Sequence, residues 1–437
     1  MRSRTLALLV LAAAPRFAAA DPKKLSLDET ITKALAGPKA RMARGDADTA
    51  AGRLGEAKAL RLPRIKGTFF GTASPKIDCL PPDCTRTDPE NFAFRYEGLY
   101  VGAYLDVEQP LFAPGKSHGL EAAKAGVEAQ ELLADEAAGD LAVDAARAYW
   151  GVKLAREMRF MLEDGIDEIG KAIERMDART GKDAPSPQDR QRVAVLLAEA
   201  KVQRADAKAA ERQALAGLRA LTGVADADVD DDPLAALELP LPTNAAAKDR
   251  PQARAAKQGA VAADELVSFQ TSYYYPDLSL VGRGFATTAQ GADDPPSAYA
   301  YDPYNRWGAD LSLVVRWTAE PWSVNARVKR ARAEARRAHA LDDLAASGAQ
   351  YDLETVLGEA EAAKEKLTAA ADGEKAGRAW VVTLAQADVI GAVESKDFAD
   401  AYIAWFRMKA NWALSAFQWN VAVVRIGRAT GKYRAKL

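Results

Sequence analysis

GLYVGAYLDVEQPLFAPGKSHGLEAAKAGVEAQELLADEAAGDLAVDAARAYW, residues 98–150, carries two patterns of different period in one unbroken run. In its first part Leu99, Val101, Ala103, Leu105 and Val107 alternate with Tyr100, Gly102, Tyr104, Asp106 and Glu108. That period of two puts successive side chains on opposite faces of a strand. The spacing predicts one oily and one wet face, with the pattern stopping at Gln109-Pro110. Pro114-Gly115 then turns the chain, and from Lys116 to about Ala178 an Ala-, Leu-, Glu- and Lys-rich run without internal proline predicts a single helix. At about 1.5 Å per residue such a helix is roughly 95 Å long. Globular proteins average about 11 to 12 residues per helix, so an amphipathic strand feeding this one is foreign to a compact soluble domain.

Outward from that stretch, composition narrows the class. The chain has 437 residues, 59 basic against 61 acidic, and nothing in that balance points to nucleic acid. Its first twenty residues, MRSRTLALLVLAAAPRFAAA, hold Arg2, Arg4 and Arg16 and no acid, an apolar stretch from Leu6 to Ala14, and a small-residue ending. They read as a secretory signal peptide over residues 1–20, cut before Asp21. Without those three arginines the formal charge of −2 becomes −5. No later run reaches 18 apolar residues, the length a spanning helix needs. Cys79 and Cys84, in DCLPPDC, are the two cysteines. In an exported chain they are expected to staple a loop as a disulfide, since no His or further Cys stands at zinc-ligand spacing. No cysteine stands directly after the cleavage point, so a lipid anchor at the mature N-terminus is not expected.

Taken in order, the mature chain states one programme twice. Residues 25–60 are helical in character, with Ser26 and Glu29 as a capping pair, and end at Leu62-Pro63. Ile65 to Ala73 alternates as a strand, a Pro-, Asp- and Thr-rich loop follows, and the quoted strand and long helix come next. Ser186-Pro187 with Asp189 starts another helix, which closes at Thr222-Gly223. After VADADVDDDPLAALELPLPTN, an acidic connector over 224–244, the series restarts. Pro251 to Pro276 spans 25 residues, as Pro38 to Pro63 does. DLSLVGRGFATT and residues 306–317 are strands, Pro321 opens a long helix, and Asp397 to Gly431 spans 34 residues, as Asp189 to Gly223 does. The matched spacings divide the chain into a first repeat over 21–223 and a second over 245–437.

Each repeat supplies two strands, and four strands cannot close a barrel. An oily face in lipid requires every backbone group to be paired, so closure needs strands from several copies. Tyr100, Tyr104, Trp307 and Trp317 are candidates for the aromatic belts at membrane interfaces, the competing reading being strand aromatics in a sandwich core. Trp405, Trp412 and Trp419 recur every seven residues on the last helix, as in a coiled-coil seam, and are expected in the core.

This order, with LSLDETITKAL, the Leu62-Pro63 ending, EQPLFAPGK, AYWGVKLA and the two Thr-Gly helix endings, resembles the TolC-like outer-membrane efflux and secretion channels over essentially the whole mature chain. The resemblance implies an α+β membrane protein. In such a protein a homotrimer pools four strands per chain into a twelve-stranded barrel that continues into a periplasmic tube of coiled-coil helices. It also implies docking with a periplasmic adaptor and an inner-membrane transporter, for efflux or type I secretion. In that family acidic residues ring the periplasmic tip, and Gly391, Asp397, Asp400 and, in the first repeat, Asp189 match the pattern. The Tyr and Arg that latch the tip fall opposite Asp388 and Val393, a departure that touches the latch chemistry. Asp189 and Asp397 also stand in first helical turns, where a carboxylate favours the dipole.

Catalysis has little footing. His118 and His339 are the only histidines, each in an Ala- and charge-rich helix and expected in solvent. Gly282-Arg283-Gly284 lacks the strand-to-helix context of a phosphate loop, and no cofactor or metal is implied. The alternative to a channel is a periplasmic coiled-coil adaptor or scaffold, which needs neither oily strands nor a second repeat.

Overall fold

The computed structural model describes residues 23–76, 95–178, 186–239, 247, 250–290, 304–388 and 395–433. The expected signal peptide, Cys79, Cys84, Gly391 and Val393 lie outside them. In chain order the elements are β1 (Lys23–Leu25), α1 (Leu27–Leu35), α2 (Pro38–Ala59), β2 (Arg64–Lys76), β3 (Arg95–Phe112), α3 (Pro114–Asp177), α4 (Pro187–Thr222) and β4 (Ala227–Val229). Then follow α5 (Pro251–Thr271), a 3₁₀ turn (Ser272–Tyr274), β5 (Asp277–Ala289), β6 (Arg306–Arg316), α6 (Pro321–Asp388) and α7 (Ser395–Ala429). These elements group into two compact units, each drawing on both halves of the sequence, and α2, α3 and α6 contribute to both.

The first unit holds the chain up to Ala43, Asp135–Arg250 and everything from Ala349 onward. Its core joins Leu25, Tyr149, Trp150, Val152, Leu218, Val229, Ala416 and Val424. Beside it Trp419 and Ile426 of α7 pack on Val356 and Ala360 of α6. The seven-residue tryptophan series is thus graded: Trp419 is buried, Trp412 and Trp405 are half-buried, and the Trp405 indole donates to Glu374 at 3.0 Å. Gly377 makes that contact close, since a Cβ there would lie 2.9 Å from the Trp405 Cα.

Two expectations change in this unit. Residues 25–60 are not one helix: Pro38 has no N–H and its ring would meet the carbonyl four residues back, so α1 ends at Leu35 and α2 begins at Pro38. The 224–244 connector is not merely a spacer. Ala227–Val229 pairs in parallel with Lys23–Leu25, matching Lys23 to Ala227 and Leu25 to Val229. Farther along, Asn420 of α7, fully buried, donates to the Ala235 carbonyl and accepts from the Leu237 amide, each at 2.8 Å, while Trp419 donates to the Leu237 carbonyl at 2.7 Å. These bonds satisfy connector backbone groups that would otherwise be buried without partners.

The second unit, Arg44–Ala134 and Pro251–Gly348, contains the four-stranded antiparallel sheet in the order β2-β3-β5-β6. Both strands of the first hairpin run longer than the alternation alone indicates. In particular β3 continues through Pro110 to Phe112, with a register shift between those two residues. Past Glu108, which faces Arg64 at the start of β2, β3 has β5 as its one strand partner, so a proline there does not interrupt a ladder on both sides. Both histidines have a carboxylate partner: His118, half-buried, meets Glu265 through Nδ1 at 2.8 Å, and His339, exposed as expected, meets Asp264 through Nε2 at 3.0 Å. Adjacent carboxylates of α5 thereby tie it to α3 and to α6.

Candidate functional site

The pairing register sorts the sheet into two unlike faces. Ile65, Phe69, Leu99, Leu105, Leu280, Trp307, Leu311, Leu313 and Val315 share one face, interleaved with Gly and Ala. Most stand in the open, with Phe69 83% and Trp307 87% exposed. Burying a large apolar side chain gains about 1.5–3 kcal/mol, so this face leaves on the order of 10 kcal/mol unclaimed in one chain. The opposite face carries a row that crosses all four strands, Lys66, Asp106, Arg283 and Asp310, in alternating charge. The Arg283 guanidinium bonds the Asp106 carboxylate at 2.5 Å, and Arg316 pairs with Glu108. Cross-strand opposite charges favour this face in water.

The same register splits the expected aromatic belt. Trp307 lies on the apolar face, and Trp317, 64% exposed, follows directly after β6. Tyr100 and Tyr104 lie on the other face with Asp106 and Glu108, because they are an even number of residues away from them. The four aromatics therefore lie on both faces of the sheet. Tyr104 stacks on Phe70, with ring centres 5.6 Å apart, and Tyr100 meets Phe70 edge-on at 5.1 Å. Among the described residues, both outer strands, β2 and β6, present an unpaired edge, the exposed-edge condition that proteins ordinarily cover or close. Among the described residues, no helix is long and apolar enough to cross a membrane.

In the first unit, two of the expected tip acids, Asp189 and Asp400, have side-chain partners. Ser186 caps α4 and Pro187 follows at the first helical position. The Asp189 amide donates to Ser186 Oγ at 3.1 Å and the serine hydroxyl donates to the Asp189 carboxylate at 2.6 Å, a reciprocal cap. Asp400 accepts from the Arg192 guanidinium at 2.9 Å, joining α7 to α4 across 208 positions of sequence. Asp397 lies in the first turn of α7 and Asp388 is the last residue of α6. Next to these helix starts, Met158, Met161, Ile169, Phe398, Tyr402 and Phe406 line an apolar cavity of about 440 Å³ between α3, α4 and α7.

Sequence reasoning missed two ionic clusters in this unit. Lys153, Arg156 and Arg159 recur every three residues on α3; the first two meet the connector's acids, and the last two meet Glu211 of α4. Arg156 bonds Asp228 at 2.7 Å and Glu211 at 3.1 Å, Arg159 bonds Glu211 at 2.6 Å, and Lys153 pairs with Asp230, which also accepts from the Tyr149 hydroxyl. Burial works against the charge on Asp230, but hydrogen bonds from Lys153 and Tyr149 outweigh it and hold the carboxyl below the usual carboxylate range. Glu211 is likewise held down by Arg159 and Arg156 against burial. In the second cluster Arg250, its side chain 6% exposed, bonds Glu136 and Asp352, each at 2.9 Å. Arg428 bonds the same two acids at 2.9 and 3.2 Å. A basic row at i, i+3 opposite the acidic 226–232 run was the available signal for the first cluster; the second has none.

No protein-family description and no curated protein sequence matches the chain. Its fold does match solved structures. The outer-membrane channel OprN is 19% identical at a TM-score of 0.74, over 93% of this chain and 89% of that one. The Campylobacter jejuni CmeC outer membrane channel is 15% identical at 0.76, over 94% and 87%. The open state of the Neisseria gonorrhoeae MtrE outer membrane channel is 16% identical at 0.76, over 94% of each. The chain has the fold of these channel protomers.

Proposed function

We propose that the chain is the protomer of a homotrimeric outer-membrane efflux channel of the TolC-like family in a Gram-negative bacterium. In this reading the 1–20 leader directs export, and three four-stranded sheets close edge to edge into a twelve-stranded barrel. The helices of the duplicated repeats form a periplasmic tube that receives solute from an inner-membrane transporter through a periplasmic adaptor. The single observation that carries the proposal is the sheet: one face apolar and exposed, the other charge-paired, both edges open. Lipid outside, water inside and β6 of one copy beside β2 of the next would satisfy all three features. The likeness in fold to outer-membrane channels supports the same reading. Asp189, Asp388, Asp397 and Asp400 would ring the periplasmic tip, where three symmetry copies of a carboxylate attract cations. The chain conducts and does not catalyse.

The test is the native mass of the particle extracted in detergent from outer-membrane fractions, followed by planar-bilayer recording. Three chains per particle with ohmic conductance is the expected result. A monomer recovered from the soluble periplasm would overturn the channel reading and favour the adaptor or scaffold.

A further inference from the structure

We infer that the polar face of the sheet carries a flattened aromatic lining that widens the bore and delays planar aromatic solutes, and that Gly102 and Gly308 hold it flat. The inference rests on the channel reading above, in which that face borders the lumen.

The two faces treat their aromatic rings differently. On the apolar face Phe69 and Trp307 stand away from the sheet at 83% and 87% exposure. On the polar face Phe70, Tyr100, Tyr104 and Phe285 are half-buried in the same single chain. The register supplies the cause. Phe70 faces Gly102 on the neighbouring strand, and Phe285 faces Gly308. A Cβ on Gly102 would lie 2.5 Å from the Phe70 ring and 2.7 Å from Thr287 Cγ2, and one on Gly308 would lie 2.8 Å from the Phe285 ring. Each ring therefore occupies the space that the opposite side chain would need. Neither glycine has a positive φ, so ring space rather than backbone conformation accounts for them. Phe70 in turn stacks on Tyr104 and meets Tyr100, whose ring meets Tyr304 at 5.5 Å, while the Arg306 guanidinium sits 5.2 Å from the centre of the Phe285 ring.

This arrangement has two consequences for a conduit. A ring lying across a strand adds little height to the wall, so aromatic surface is gained without narrowing the passage. A methyl group at residue 102 or 308 would drive the ring off the sheet and toward the axis, once per copy. The ring faces left open also offer stacking to a planar solute in transit, worth about 1 kcal/mol per contact, or roughly a fivefold change in dwell time.

Single-channel recording on the full-length protein tests both parts. Gly102→Ala and Gly308→Ala are expected to lower conductance, and Phe70→Ala is expected to restore it in the Gly102→Ala background. With 9-aminoacridine as blocker, Phe70→Leu alone is expected to shorten block dwell times about fivefold, the factor set by one lost stacking contact; this variant keeps the neighbouring glycine and does not depend on the alanine variants folding. Conducting wild-type channels, with conductance unaltered by either glycine substitution and acridine dwell unaltered by Phe70→Leu, would overturn the inference while leaving the channel intact. A wild-type trimer that does not conduct would overturn the channel reading, and the lining with it.

Discussion

Arg250→Met asks whether the cluster around Arg250 holds the first unit together. The guanidinium is buried at 6% exposure and touches Glu136 twice, at 2.9 and 3.2 Å, and Asp352 once, at 2.9 Å. Methionine keeps the apolar stem and removes only the charge and its donors. Taking away one partner of a buried ion pair costs about 3–5 kcal/mol, because the other charge is left in a poor solvent. Here Arg428 still reaches Glu136 at 2.9 Å and Asp352 at 3.2 Å. The expected loss therefore sits at the lower end, about 3 kcal/mol. Arg250→Met with Glu136→Met removes the stranded charge as well and should cost less than the single substitution, on the order of 1 kcal/mol. Urea unfolding of the detergent-extracted protein at fixed concentration, followed by far-ultraviolet circular dichroism, measures both. A single-variant loss under about 1 kcal/mol, or a double variant at least as destabilised as the single, would refute the idea that an uncompensated Glu136 is the cost.

Three further outcomes are expected. At the tip, Asp397→Ala with Asp400→Ala should lower cation selectivity and divalent-ion block in planar bilayers, whereas Arg192→Ala, which frees the Asp400 carboxylate, should raise cation selectivity; unchanged currents in both remove these residues from the gate. Asp230 and Glu211 have folded-state pKa values below their unfolded ones, so the stability they contribute is present above the usual carboxylate pKa and is lost as pH falls through the lower, folded values. Melting curves between neutral pH and pH about 3 should therefore show a shallower acid loss in Asp230→Asn than in wild type, and equal slopes would sink the assignment. Asn420→Leu strands the Ala235 carbonyl and the Leu237 amide, at an expected cost of on the order of 3 kcal/mol, visible as faster proteolysis of the connector; wild-type protease resistance would count against it.

Local patterns were legible and distant partners were not. The alternation in 98–108 gives the two faces of β3, and α3 is the long helix read from composition, although it begins at Pro114, in what reads as a turn, two residues before the expected Lys116. Ser186, Pro187 and Asp189 form the expected cap, and Ser26 with Glu29 forms a full capping box. Both Thr-Gly endings use one device: the threonine hydroxyl bonds a carbonyl four residues back at 2.8 Å, and the glycine takes φ +69°. Each of these depends on residues within about one helical turn or one strand pleat of each other. The break between α1 and α2 was marked by Pro38 but lost in a wider helical window.

The connector shows why the remainder stayed hidden. Its acids look like a solvated spacer because a run of Asp has no partner nearby in sequence, yet Asp228 and Asp230 meet a basic row about 75 residues upstream, at separations of 72 and 77 residues. Asp400 has the same character: it matches the family's acidic tip by position, but its Arg192 lies 208 residues away. The aromatic candidates divide between faces for a related reason, since the face of Trp307 relative to Tyr100 and Tyr104 depends on how β6 and β3 are paired through β5. Tyr100 and Tyr104 alternate in step with Asp106 and Glu108 within one strand, and the register then sets Trp307 on the opposite face. Side chains that oppose one another across strands are fixed by pairing, and pairing is a tertiary fact. The lining described above became visible at that step, because a glycine opposite a phenylalanine means nothing until the two strands are placed side by side.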